Sequence, residues 1–435
     1  MRIPILAAAG LLLCAQVAAA QQPDSAARSR QRADSIAKAV ADSIALMKEL
    51  GAAVAPPQAA TPAPATGQPG PSNPRLLPDV SAVGDLVGDL SPKGSTQEDA
   101  TRFGVREVEL AVQAVVDPYF RGDVFLGISD AEGLSIEQAY LTTTSLPYQL
   151  EARLGRFLMP FGKQNLTHRH DLHTIEYPWV IQRLLGPEGL KGTGVQGSRV
   201  FSPFGFYQEL QVTAVDRLGE RVDSLAPSEA ANHSLGGLGY SARLRNYVDL
   251  SQASNVELSF SAMTGKREQP LALSFRPGSG DFDVNAVNAR QSTVAADFTF
   301  RWRPLQEGLY KSFILQSEVM RQVNERDPGI PGNALPCPVG GCYAGPGRDY
   351  TGAYVFARWQ TSRRAFIGAR GDWLQDPEAG GDALRAGSLY LEFFPSEFSK
   401  LVAGYEAFKP AGTAVTHRLL VQAMFSLGPH KPHPF

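Results

Sequence analysis

Apolar and polar residues alternate in many short segments after residue 76. In residues 255–265, for example, Val256 and Leu258 lie on one face and Glu257 lies on the other. A period of two is the pattern of a β-strand that has one apolar face. About sixteen segments have this character and are predicted to be strands: 77–90, 104–116, 119–129, 134–144, 148–158, 193–202, 206–216, 236–248, 255–265, 289–303, 309–323, 348–361, 364–374, 383–395, 398–408 and 413–427.

The links between these segments alternate in length. Links after even-numbered segments are short, such as Asp117-Pro118 and Ser362-Arg363, whereas those after odd-numbered segments are usually long, such as 159–192 and 324–347. Many segments have about 10 residues or more, which is enough to cross a bilayer at a tilt. Short turns on one side and long loops on the other are typical of outer-membrane barrels. The sequence therefore predicts an all-β fold, a transmembrane antiparallel β-barrel of about 16 strands over residues 76–428.

The longest link follows a strand of regular alternation. Residues 148–158 alternate, and the pattern resumes only after residue 192. A loop of this length is unusual in a compact soluble domain, and long loops are usually functional. In a barrel, such a loop can fold into the lumen. We therefore expect residues 159–192 to form an extracellular loop that folds inward as a constriction.

The N-terminal region has a different character from the barrel. Arg2, an apolar stretch and Ala18 to Ala20 predict a secretory signal peptide over residues 1–20. Residues 21–54 contain the tandem units ADSIAKAV and ADSIALMK, which fit either a marginal amphipathic helix or a short periplasmic coiled coil. Residues 55–75 are a Pro/Ala/Gly linker. Residues 429–435 are expected to be a periplasmic tail.

Composition excludes several classes of protein. The chain has 41 basic and 43 acidic residues, and a net charge of −2 argues against nucleic-acid binding. After residue 20 it contains no run of 18 apolar residues, so a helical membrane protein is excluded. It also lacks a Gly-rich phosphate loop between a strand and a helix. We therefore expect no enzymatic activity and no cofactor.

Two cysteines remain after the signal peptide. Cys337 and Cys342 lie in the Pro/Gly-rich stretch PCPVGGCY. In an exported protein, cysteines this close predict a local disulfide. A metal-binding pair is the alternative.

Charged residues on the polar faces of the strands are candidates to line a pore. They carry both signs and so do not predict a field of one sign across the channel. The candidates are Glu107, Glu109, Glu151, Arg153, Glu209, Arg243, Arg245, Glu257, Asp297, Arg301, Arg358 and Arg370.

Three histidines mark the longest link. His168, His170 and His173 form the run HRHDLH, which includes Asp171. Imidazole is a good ligand for zinc, copper or nickel. The spacing matches no helical zinc motif. Two interpretations remain open: a metal site, or a polar loop that hydrogen-bonds to the barrel wall and narrows the pore.

Several stretches resemble a known family, the bacterial outer-membrane porin-like proteins grouped with the phosphate-selective porins. Some relatives are labelled zinc-regulated TonB-dependent outer membrane receptors. The matching stretches are strand and turn signatures: 73–89, 105–126, 136–147, 150–170, 184–195 and 425–430. The resemblance implies an outer-membrane barrel, often trimeric, that passes small solutes. The mixed wall charges argue against phosphate selectivity, and the chain is too short for a plugged receptor of about 22 strands.

Three functions are consistent with the sequence. The first is a passive channel for small hydrophilic solutes or ions in the outer membrane of a Gram-negative-type bacterium. The second is a metal-ion (zinc) uptake channel that uses the histidine loop. The third is a structural protein with a periplasmic coiled-coil tether. The expected partners are outer-membrane lipid, small solutes and further copies of the chain in a homotrimer, and no nucleic acid.

Overall fold

The computed structural model describes residues 78–97, 101–129, 133–219, 235–267, 290–324, 349–377, 382–410 and 412–428, and the backbone of 272–275 and 282–285. The signal peptide, the helical segment, the linker and the C-terminal tail therefore lie outside the described residues. Cys337 and Cys342 lie outside them as well.

Sixteen antiparallel strands form one closed barrel, in which the first strand pairs with the last. The predicted fold class is confirmed, and each predicted strand is present within a few residues of its expected bounds. The barrel strands are β1 (Asp79–Asp89), β2 (Phe103–Val115), β3 (Phe120–Ser129), β4 (Gly133–Thr143), β5 (Leu150–Leu158), β6 (Lys191–Phe201), β7 (Tyr207–Val215), β8 (Gly239–Ser251), β9 (Ser254–Lys266), β12 (Arg290–Trp302), β13 (Phe313–Asn324), β14 (Asp349–Gln360), β15 (Ala365–Gln375), β16 (Ala383–Ser396), β17 (Ser399–Lys409) and β18 (Thr416–Leu427).

Two further strands were not expected. β10 (Ala272–Phe275) and β11 (Phe282–Asn285) pair with each other as a separate two-stranded sheet in the link between β9 and β12. The stretch Pro277-Gly278-Ser279-Gly280 between them has the composition of a turn. At four residues each, these strands are too short for alternation to identify them.

Polar side chains are buried in this barrel and apolar ones are exposed. On β16, Glu392 is 2% exposed while its neighbour Leu391 is 62% exposed. On β17, Lys400 is buried and Leu401 is exposed. Successive strand residues point to opposite faces, so one face is polar and the other apolar. The closed barrel therefore has a polar interior and an apolar exterior.

A close approach between β4 and β5 requires glycine. Gly155 has a φ of 140°, and a Cβ built there would lie 2.1 Å from the carbonyl oxygen of Ala139. Any larger residue would push the two backbones apart. Because β4 and β5 share only four ladder pairs, Ala139 to Thr142 with Arg153 to Arg156, this contact matters for their pairing.

Residues 159–190, hereafter the β5–β6 segment, supply nearly half of the side chains in the apolar core. The segment contains one short helix, α1 (Trp179–Leu184), which ends where the N–H of Gly186 donates to the carbonyl of Ile181. The segment's buried apolar side chains pack with a similar number from the strands. Those from the segment are Met159, Phe161, Leu172, Ile175, Tyr177, Trp179, Val180, Ile181, Leu184, Leu185 and Leu190.

None of the helices in the described part of the chain is long and apolar enough to span a membrane.

Candidate functional site

The β5–β6 segment is fixed to the polar face of strands on several sides of the barrel. Its hydrogen bonds and ion pairs reach residues of β2, β4, β9, β13, β15 and β17. Most of these partners are charged side chains. They lie on the polar face of the strands, where the other side chains are also buried. These contacts form four anchors and one histidine group.

The first anchor follows directly after β5. The N–H of Gly162 donates to Ser261 Oγ at 3.0 Å, and the N–H groups of Lys163 and Gln164 donate to the carboxylate of Glu318 at 3.3 Å. Gly162 has a φ of 62°, and a Cβ there would overlap the Glu318 carboxylate. Only glycine allows this backbone to sit on that carboxylate. The Lys163 Nζ donates to Glu257 at 2.9 Å.

The second anchor is a buried carboxylate between two arginines. Glu176 accepts from Arg169 at 2.7 Å and from Arg106 of β2 at 3.3 Å. Arg106 also bonds Asp85 of β1. Burial alone would raise the pKa of Glu176, but the positive charges of Arg169 and Arg106 outweigh it and lower the pKa to about 2. The carboxylate is therefore ionised over the ordinary pH range.

The third anchor holds the start of α1. The N–H of Trp179 donates to Asp372 at 3.0 Å, and its indole N–H donates to Glu406 at 3.2 Å. Arg370 donates to the carbonyl of Glu176 at 2.8 Å, and also bonds Asp372 and Glu406. Asp372 thus satisfies the first backbone N–H of α1, a position that favours negative charge.

The fourth anchor is Lys400 of β17. Its Nζ donates to the carbonyls of His170 and Leu172 at 2.6 and 2.8 Å. A buried ammonium group needs such acceptors, because an unpaired charge in this position would be costly. Lys400 therefore fixes the backbone on both sides of Asp171.

Two of the three predicted histidines lie together, and the third lies apart. Nδ1 of His168 is 2.7 Å from Oε2 of Glu109 on β2, and Nδ1 of His170 is 3.9 Å from the same oxygen. The ligand atoms of these three residues all lie within 4.8 Å of one another. His173 instead stacks on Phe356, with Nδ1 3.9 Å from Glu392.

The group has further neighbours that orient the imidazoles. His170 Nε2 lies 3.7 Å from Asp171 Oδ1. His168 Nε2 lies 2.7 Å from Gln138 Nε2 on β4, and Gln138 accepts from the N–H of Leu158 at 3.0 Å. Burial lowers the pKa of His170, which favours its neutral form.

The predicted pore-lining residues all lie on strands of the barrel, and most of them carry ion pairs. Glu257 is the centre of one cluster: Lys163, Arg245, Arg301 and Arg243 lie 2.9, 3.0, 3.6 and 3.7 Å from its carboxylate. The other pairs include Asp297 with Arg243, Glu209 with Arg245, Glu151 with Arg153, Arg358 with Glu392, and Arg370 with Asp372; Glu107 lines a small cavity beside His168.

The most exposed charges of the Glu257 cluster are two arginines. The side chains of Arg245 and Arg301 are 32% and 33% exposed, whereas that of Glu257 is 0% exposed. The long arginines extend beyond the short carboxylate that they pair with. The charge that contacts solvent in this cluster is therefore positive.

Strict alternation along the strands failed to identify Arg106 as an inward residue. β2 pairs with β1 through a bulge at Asp85/Leu86, where Asp85 faces Glu107 and Leu86 faces Val105. The extra residue allows both Arg106 and Glu107 to contact the barrel interior. A regular two-residue period, by contrast, places Arg106 on the outer face.

Comparisons with known proteins indicate the fold. No family model matches the chain. A curated protein of Aquifex aeolicus (strain VF5), described as an uncharacterized protein, is 26% identical over 356 residues, which is 77% of this chain and 70% of that protein.

Two solved structures share the barrel at low sequence identity. The anion-selective porin from Comamonas acidovorans has a TM-score of 0.52 and 11% identity, covering 80% of this chain and 99% of its own. A loop L8 deletion mutant of OmpT, an outer membrane protein of Vibrio cholerae, has a TM-score of 0.51 and 10% identity. The match covers 80% of this chain and 99% of the OmpT chain. The chain therefore has a porin-like barrel fold.

Proposed function

We propose that the protein is a channel for passive diffusion of small hydrophilic solutes or ions across the outer membrane of a Gram-negative-type bacterium. The proposal rests on the distribution of side chains in the closed barrel, which is the inverse of that in a soluble protein. Apolar residues lie outside and charged residues lie inside. An apolar exterior suits lipid. Closure of the barrel also leaves no unpaired strand edge in the hydrocarbon. A polar interior suits water and solutes.

The β5–β6 segment is the constriction of this channel. Its anchors reach β2, β9, β13, β15 and β17, which lie on different sides of the barrel. A single segment can reach polar faces on all these strands only by running across the lumen. Its burial of large apolar side chains further supports a packed obstruction rather than a free surface loop.

The charges of the wall favour general solutes over one ionic species. Most of the charged groups described above are paired with a partner of opposite sign, which cancels much of the long-range field. The exposed Arg245 and Arg301 add a weak local preference for anions. We therefore expect modest charge selectivity and a cut-off set by size.

Reconstitution tests the proposal. Purified full-length protein, checked for a folded barrel by its heat-dependent gel mobility, is incorporated into planar bilayers and into liposomes. The channel proposal predicts discrete conductance steps, and liposome swelling that slows as the test sugar becomes larger. A folded barrel that gives neither result contradicts the proposal and favours a structural role.

A further inference from the structure

The group of Glu109, His168 and His170 has the chemistry of a transition-metal site. Two imidazoles and one carboxylate converge from two separate parts of the chain, β2 and the β5–β6 segment. His and carboxylate ligands are a set that Zn²⁺ takes in catalytic and open sites, with a further position left for water. Sequence spacing alone did not include Glu109 in the set.

We propose that Glu109, His168 and His170 bind one divalent transition-metal ion of the zinc class, and that this ion fastens the β5–β6 segment to β2. The site does not depend on what the barrel transports. It differs from a histidine uptake loop because it includes Glu109 and excludes His173.

The geometry requires only small side-chain shifts, with His168 moving away from Glu109 and His170 moving toward it. Ligand atoms around a tetrahedral zinc ion with bonds of about 2.0–2.1 Å are separated by about 3.3 Å. Here, Nδ1 of His168 and Nδ1 of His170 lie 2.7 and 3.9 Å from Glu109 Oε2. Shifts of about 1 Å in side chains would therefore complete the site.

Surrounding groups already restrain one of the ligands, His170. Asp171 lies 3.7 Å from Nε2 of His170, the atom opposite the proposed ligand Nδ1. A carboxylate at that place fixes the imidazole and increases its basicity in metal sites. Lys400 holds the carbonyl of His170 itself at 2.6 Å. His170 therefore presents Nδ1 to Glu109 from a restrained backbone.

Gln138 sets a condition on binding at His168. The N–H of Leu158 donates to Gln138 Oε1, so the amide nitrogen of Gln138 faces Nε2 of His168. If a metal binds Nδ1, Nε2 carries the proton and needs an acceptor. Gln138 must then turn its amide, at the cost of its bond from Leu158. A carboxylate at this position accepts from both groups without turning, so Gln138→Glu should tighten binding.

Burial indicates that the ion is a fixed component rather than a transported one. His170 and Glu109 are 2% and 3% exposed. An ion held there would exchange slowly and would lie outside the water-filled path. Its effect would be to hold the β5–β6 segment in place against β2.

The test is zinc binding by the full-length folded barrel after removal of metal with a chelator. Calorimetric titration with ZnCl₂ should give one saturable high-affinity site. We expect Glu109→Gln, His168→Ala and His170→Ala each to weaken binding at least 10-fold, and Gln138→Glu to strengthen it. His173→Ala is the matched control from the same segment and should bind like the wild type.

X-ray absorption of the zinc-loaded wild-type protein supplies a measurement that needs no variant to fold. The proposal predicts two imidazole ligands with the remaining ligands oxygen. No saturable site, a different number of imidazoles, or equal weakening by His173→Ala and His170→Ala would each overturn it. Since conductance is measured separately, failure of the metal site is distinguishable from failure of the channel.

Discussion

The exchange of Glu176 for glutamine is the sharpest test of how the β5–β6 segment is held. Glu176→Gln keeps the size of the side chain and removes the negative charge between Arg169 and Arg106. Both arginines are largely buried at the contact. The substitution removes this carboxylate from Arg169 and leaves Arg106 with Asp85 alone. Removing one partner of a buried ion pair is the costly way to break it.

The cost follows from the pKa of Glu176. Its pKa falls from an ordinary value of 4.5 to about 2. At 1.36 kcal/mol for each unit, the ionised form contributes about 3 kcal/mol to the packed state. Because the pKa is lowered on packing, this contribution is present above pH 4.5 and is lost as the pH falls toward 2. About 3 kcal/mol raises the detached population of the segment by about 100-fold.

Hydrogen exchange of the amides in residues 159–190, corrected for intrinsic rates, measures this population. Wild-type protection should decrease as the pH falls from 4.5 toward 2, while Glu176→Gln should be less protected at neutral pH and should lack that dependence. Glu151→Gln is the control, because Glu151 is 44% exposed in a pair with Arg153 and should change protection by less than about 1 kcal/mol. Equal protection in the two variants would refute the reasoning.

Three further substitutions test other parts of the structure. Trp179→Ala removes a buried side chain and its bond to the wall, so we expect a loss of about 3–5 kcal/mol in segment packing and a noisier, larger single-channel current. Gly155→Ala would place a Cβ 2.1 Å from a carbonyl oxygen of the neighbouring strand and should reduce the yield of heat-modifiable barrel, whereas Gly387→Ala meets open space and should not. Reversing the exposed charges with Arg245→Glu and Arg301→Glu should shift the reversal potential in a salt gradient toward cations, and an unchanged potential would place the selective region elsewhere.

The strands could be predicted from the sequence because each has one apolar and one polar face. Successive residues point to opposite faces, so the two-residue period recurs in the sixteen strands and is broken only locally. The alternation of short turns and long loops then predicted an antiparallel barrel. β10 and β11 were missed because they are short and belong to a separate sheet in a link.

The anchors of the β5–β6 segment could not be predicted in the same way. They join residues far apart in sequence, such as Lys400 with His170 and Trp179 with Asp372, and no periodicity connects such pairs. The position of Arg106 depends on a bulge, which shifts the alternation locally. The histidines were identified by type, but the approach of Glu109 to them required the folded barrel.

Replacing residues 159–190 by a short turn tests most directly whether they constrict the channel. Leu158 and Lys191 are paired in the β5–β6 ladder, so a short Asn-Gly turn can join them in place of the segment. The single-channel conductance of this variant is compared with that of the wild type, after both are shown to be folded by heat-dependent gel mobility. We expect a severalfold higher conductance for the variant. An equal conductance from a folded barrel would contradict this expectation.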